Sequence, residues 1–246
     1  MTPKEIVKAI LPFERARRRF WSGAGVASLR RTTPINPDDY GESRGQCIDR
    51  YYIEKFLAAH AVDVKGRVLD FFDDSYARKF GGAKMTHVDV LHLTADNPRA
   101  TIVADLARSE QIPSDAFDCI LCTQVLHCIY DVDAAVRTLY RVLKPGGVVL
   151  VTDPGIQKID CVDMRNEEEY WRFTSLSLRR LFEEVFPKDQ IGVKAYGNIL
   201  AAIAFLHGFA VEDLQREDLE YHDPDYEVTI TLRAVKPEFT LTPQQT

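Results

Sequence analysis

The chain has 246 residues, 46% of them hydrophobic, and 31 lysines and arginines against 37 aspartates and glutamates leave a net charge of −6. That length suits one α/β domain with terminal extensions, and the acidic balance excludes a general nucleic-acid binder, whose hold on phosphate rests on a cationic surface. Five cysteines are too sparse for a disulfide scaffold, and no run has the roughly 20 apolar residues of a membrane span or the apolar core of a signal peptide. A cytoplasmic protein with no membrane or nucleic-acid partner is therefore expected.

Met1 to Phe20 carries Ile6, Ile10, Leu11 and Phe13 at helical spacing, with Arg15, Arg17, Arg18 and Arg19 crowding the end. These charges suit a helix carboxyl terminus and a solvated face; the other option is a cationic lid, extended by Arg30 and Arg31, over an anionic substrate. Thr32 to Gly45 is rich in Pro, Asp, Gly and Asn and is a loop. Ile48, Tyr52, Ile53, Phe56 and Leu57 then mark the buried stripe of a helix.

Gly66 to Phe72 is the first predicted strand. Lys84 to Val88 is the second, with Asp89 at its carboxyl end, and Thr101 to Leu106 is the third. Two apolar runs, Phe117-Asp118-Cys119-Ile120-Leu121-Cys122 and Val148-Val149-Leu150-Val151, flank an amphipathic helix from Val132 to Leu143, with Pro145-Gly146-Gly147 turning the chain between them. Cys119-x-x-Cys122 is half of a zinc or redox pattern, but both fall in a buried strand and no second pair completes a tetrahedral set. No metal is expected. Thr152 to Glu169 lacks a period and is expected to be a substrate-facing loop. Thr174 caps a helix from Ser175 to Phe186, Ile191 to Tyr196 is a sixth strand, Ile199 to Phe209 a further helix, and Tyr226 to Val235 a long last strand. No repeat or linker divides the chain. The expected organisation is a basic extension over 1–46, an α/β domain over 47–236 and a polar tail over 237–246.

Asp118-Cys-Ile-Leu-Cys followed by Gln124-Val-Leu-His127, with Tyr140-Arg-Val-Leu-Lys-Pro-Gly-Gly147 before an all-aliphatic strand, resembles the fourth and fifth strands of class I S-adenosylmethionine-dependent methyltransferases. Asp73, Asp74, Tyr76, Phe80, Gly81 and Gly82, with Tyr170-Trp171-Arg172-Phe173-Thr174 further on, are similar to a subgroup met alongside glycosyltransferases. The resemblance implies a Rossmann-like seven-stranded fold, mostly parallel with an antiparallel last strand and helices on both faces. It implies S-adenosylmethionine as cofactor, with Asp70, Asp73, Tyr76, Asp105, Leu106, Thr123 and Gln124 toward it. Asp89 joins them because a carboxylate ending the second strand accepts ribose hydroxyls in nucleotide-binding α/β folds. The chain departs from the pattern at Phe72, where the family places glycine, and glycine there permits a positive φ and a close backbone approach to the ligand.

Polar residues at the carboxyl edge of such a sheet face the ligand, so His127 is the candidate acid or base. Tyr51, Tyr170, Trp171 and Arg172 are candidates for binding substrate by stacking and ion pairing, against capping, salt bridging and clamping of a helix. The leading function is methyl transfer to a small-molecule acceptor, sugar-derived or a secondary metabolite, by a biosynthetic enzyme acting as monomer or homodimer. The alternatives are a fold whose cofactor site is lost or repurposed for another reaction, and a noncatalytic partner subunit. A nicotinamide-dependent dehydrogenase is disfavoured, because no Gly-x-Gly-x-x-Gly follows the first strand.

Overall fold

Pairing of the apolar runs produces one seven-stranded sheet in the order β3-β2-β1-β4-β5-β7-β6. In the computed structural model, residues 40–160 and 168–238 are described; the Arg-rich segment expected to be a helix or a lid falls outside them. The strands are β1 Gly66–Phe71, β2 Met85–His92, β3 Ile102–Val103, β4 Phe117–Thr123, β5 Leu143–Pro154, β6 Ile191–Tyr196 and β7 Thr229–Val235. Strand β7 runs antiparallel to both β5 and β6, and the pairings among β1 to β5 are parallel.

The helices are α1 Ile48–Ala59, α2 Ser75–Gly81, α3 Val132–Val142, α4 Ser175–Glu183, α5 Ile199–His207 and α6 Arg216–Glu220. They cover both faces, because the central strands β1, β4, β5 and β7 are buried over most of their length on both sides. One core joins Leu69, Ile120, Val149 and Leu232 to Leu139 of α3 and Phe182 of α4. The other joins Val68, Cys119, Leu121 and Leu150 to Ile48, Tyr52 and Phe56 of α1 and Phe205 of α5. Cys119 and Cys122 are wholly buried on opposite sides of β4, and burial pushes both thiols up.

Three local expectations change. Strand β2 continues past Asp89 to His92, because Leu69, Asp70 and Phe71 of β1 pair with Asp89, Val90 and Leu91. Pro145-Gly146-Gly147 lies inside β5 as an irregularity, Phe117 pairing with Leu143 and Cys119 already with Val148. There Gly146 (φ +78°) donates its N–H to Lys236 O at 2.8 Å. Helix α6 has no forecast counterpart; Asn198 holds its end by donating to Asp218 O and Tyr221 O at 2.7 and 2.8 Å.

Strand order reverses direction between β1 and β4, since β2 and β3 lie to one side of β1 and β5 to the other side of β4. In an open parallel sheet the crevice at the carboxyl ends flanking such a switch is the ligand side.

Candidate active site

The carboxyl ends of β1, β2, β3 and β4 converge on a cavity of about 330 Å³, within the size range of small-molecule sites. Leu91, Leu106, Val125 and Ile129 supply apolar walls, and Asp105 a carboxylate. The Asp105 Oδ1 accepts the Ala107 N–H at 2.9 Å, so the helix-capping role and a position on the cavity wall coexist. Tyr130 and Tyr170 close the rim, their rings 5.3 Å apart and edge to face.

The other predicted cofactor residues do not line this cavity. Asp70 is buried beneath the loop after β1, its carboxylate accepting the Phe71 N–H at 2.9 Å and the Ala77 N–H at 3.0 Å. It ties α2 to the strand. Burial pushes its carboxyl up to about 7 against the lowering pull of those two donors. Asp73 is half-buried and accepts the Ser75 N–H at 2.8 Å. Tyr76 packs against Phe80 and interacts with Arg50.

Asp89 sits inside β2 and not at its end. Arg67 Nε donates to it at 2.7 Å and Thr101 Oγ1 at 3.1 Å, with His87 Nε2 at 3.3 Å. Burial works to raise this carboxyl, but Arg67 and Thr101 hold it below the ordinary carboxylate range. The residue that ends β2 on the cavity wall is His92. Beside it stands Phe72, at φ +63°, a left-handed backbone in which glycine carries no strain. The loop therefore takes a left-handed turn at a residue that carries a phenyl ring. That ring meets the His92 ring edge to face at 5.5 Å, and both line the cavity.

Thr123 ends β4, buried opposite Thr152. Gln124 also takes a left-handed φ of +55° and donates its N–H to Thr152 O at 2.7 Å. Its side-chain amide is buried with no hydrogen-bond partner among the described residues. An orphaned amide at this edge is unusual, since buried polar atoms are nearly always paired.

A second constellation lies where β4 and β5 end. His127 is 2% exposed and Asp153 wholly buried. Asp153 Oδ1 accepts the His127 backbone N–H at 3.1 Å and faces its Nδ1 at 3.4 Å, while His127 Nε2 is 3.7 Å from Glu169 Oε1. Burial raises the Asp153 carboxyl, with His127 pulling it down. The His127 carbonyl accepts the N–H groups of Tyr170 and Trp171 at 2.8 and 3.1 Å. Arg172 donates to Glu169 Oε2 at 2.5 Å and to Lys158 O at 2.8 Å. Trp171 Nε1 donates to Ile129 O at 2.9 Å. So Tyr170 reaches the cavity, whereas Trp171 and Arg172 hold the segment after the loop against the sheet. Tyr51 faces elsewhere, donating to Glu220 Oε1 at 2.5 Å.

Asp153 and Glu169 around His127, and Ile129 and Tyr130 around the cavity, escaped the sequence, whereas Phe72 stood out there as a departure from glycine and His92 as either a surface residue or a rim contact.

An adenosyl group fits this cavity. The apolar walls suit a purine, Asp105 offers a carboxylate at the edge, and Phe72 and His92 offer rings toward the sugar.

Residues 57–151 match the model of a methyltransferase domain. Over 81 residues the chain is 30% identical to probable polyketide synthase 5 of Dictyostelium discoideum, covering 32% of this chain and 3% of that protein. Phosphoethanolamine N-methyltransferase 2 of Haemonchus contortus, solved with S-adenosyl-L-methionine, superposes with a TM-score of 0.51 at 16% identity over 76% of this chain and 52% of that one. A putative sarcosine dimethylglycine methyltransferase from Galdieria sulphuraria gives 0.50 at 14% identity, covering 76% and 85%. The chain thus spans about half the length of the Haemonchus enzyme and a small fraction of the polyketide synthase. Sheet order and the antiparallel β7 give this chain the fold of class I methyltransferases, and within it residues 57–151 match a methyltransferase domain.

Proposed function

We propose that the protein transfers a methyl group from S-adenosylmethionine to a small polar acceptor, sugar-derived or another metabolite. The observation that carries this is the cavity at the β1–β4 switch point, where Asp105 and Leu106 meet Leu91 and Ile129 on a methyltransferase-type sheet. When bound, the cofactor supplies an electrophilic sulfonium methyl. The protein's part is proximity, orientation and exclusion of water, which account for most of the acceleration of a displacement between two bound reactants.

In this reading Asp105 and Leu106 hold the purine, and the Gln124 amide, buried without a partner among the described residues, meets a polar group of one of the ligands. His127 takes the acceptor proton. Asp153 faces its Nδ1 at 3.4 Å and Glu169 its Nε2 at 3.7 Å, so the two carboxylates stabilise the imidazolium that results. The side-chain cluster of Glu169 and Arg172 holds that base beneath the segment following the loop.

The test is calorimetry of S-adenosylhomocysteine with the purified chain. Binding at micromolar or tighter dissociation constants, lost on changing Asp105→Leu, is expected. Folded protein free of copurified ligand that takes up neither S-adenosylhomocysteine nor S-adenosylmethionine would leave the repurposed fold as the answer.

A further inference from the structure

Where a nucleotide-binding α/β sheet reads the ribose, a carboxylate at the end of the second strand accepts its hydroxyls. Here that place holds an imidazole. The nearby strand carboxylate, Asp89, lies three residues earlier, off the cavity wall and engaged by Arg67 and Thr101. His92 is itself held in place: the Thr94 N–H donates to its Nδ1 at 3.3 Å, and Asp96 Oδ1 lies 3.8 Å away. The Phe72 ring, 40% exposed, stands edge-on to it at 5.5 Å. Both departures from the family pattern therefore fall on one wall and touch each other.

Building on the assignment of the cavity to an adenosyl group, we infer that this wall holds the nucleoside by ring contacts with Phe72 and His92 and leaves the ribose hydroxyls unread, so that adenosyl compounds lacking a 2′- or 3′-hydroxyl are ligands of the site. The physical ground is the difference between the two kinds of contact. A carboxylate bonded to a hydroxyl is a charge-assisted hydrogen bond, and its loss leaves a desolvated anion unpaired. Ring contacts are insensitive to one hydroxyl, because they act through area and dispersion. The left-handed φ at residue 72 is what allows the ring to stand on this wall.

The experiment is calorimetric titration of the full chain with S-adenosylhomocysteine and with its 2′-deoxy and 3′-deoxy counterparts, repeated on His92→Asp and Phe72→Leu. The three ligands should bind the natural protein within about threefold of one another. His92→Asp should introduce a preference of tenfold or more for the fully hydroxylated ligand, and Phe72→Leu should weaken all three by a similar factor of about ten, with circular dichroism showing both variants folded. A tenfold preference for the hydroxylated ligand in the natural protein would overturn the inference while leaving the adenosyl site in place. Failure of the natural protein to bind any of the three would overturn the adenosyl site itself, and this inference with it.

Discussion

Asp70 has two duties that pull its protonation in opposite directions. Two backbone donors favour the carboxylate, and burial in the apolar sheet favours the acid, with burial ahead. Its folded pKa of about 7 lies above the unfolded value near 3.9. The folded state therefore retains a proton that the unfolded state loses, and stability falls as pH rises between roughly 4 and 7, then levels off. Relative to Asp70→Asn, which cannot titrate, the natural protein should lose advantage across that window at a limiting slope of about 1.4 kcal/mol per pH unit. Urea denaturation at half-unit intervals measures this, and a flat difference would mean that the two N–H donors keep Asp70 ionised. His127 makes a different kind of claim. If it is the base, His127→Gln should lower kcat by roughly 10² to 10⁴ with an acceptor in hand, leaving S-adenosylhomocysteine affinity unchanged. An unaltered kcat with lowered stability would instead make the imidazole a structural partner of Asp153 and Glu169.

At the scale of elements, the segment from Glu168 to Thr174 joins the sheet edge to α4 by polar contacts. Thr174 and Ser177 form a reciprocal capping box that starts the helix. Ahead of it, the Glu169 side chain is buried and shares the Arg172 guanidinium with the carbonyls of Lys158 and Trp171. Removing Arg172 takes a charge-assisted hydrogen-bond donor from the Glu169 carboxylate, which keeps the Asp160 N–H at 3.3 Å, so Arg172→Met should destabilise by about 1.5–3 kcal/mol. The double change with Glu169→Leu should recover most of that, because an apolar pair of similar volume needs no compensation. Equal losses in the single and double variants, read by urea denaturation, would show that the pair is not the source.

At the scale of the molecule, two apolar cores on opposite sides of one sheet leave the switch-point crevice as the place where strand ends, and hence polar side chains, meet. A ligand bound there touches β1, β2, β3 and β4 at once and stabilises the fold as a unit. With S-adenosylhomocysteine at 100 times its dissociation constant, a one-site binder gains about 2.7 kcal/mol, a rise in Tm of roughly 5–10 °C for a chain of this size. Scanning calorimetry with and without ligand checks this; an unmoved Tm would mean that the ligand does not bind the folded chain in preference to the unfolded one. Among the described residues no helix is long and apolar enough to cross a membrane.

What the sequence determined by itself was local and periodic. Apolar runs of strand length, the α1 stripe of Ile48, Tyr52, Ile53 and Phe56, and the Thr174 cap were all legible, because each depends on neighbours in the chain. The fold followed from residues 118–127 and 140–147, whose pattern resembles the family. Of the site, Asp105, Leu106 and Tyr170 were legible and stand on the cavity wall. Tertiary structure alone decided the rest. Pairing with β1 carried β2 three residues beyond Asp89 and put His92 where a carboxylate was expected. The loop backbone at Phe72 turned through a positive φ with a ring attached. Asp153, 26 positions from His127, became its partner because β4 and β5 end side by side. The physical reason is common to all three: a strand's end and a side chain's neighbours are set by which other strand lies beside it, and that is settled by burial of the whole sheet rather than by any local stretch.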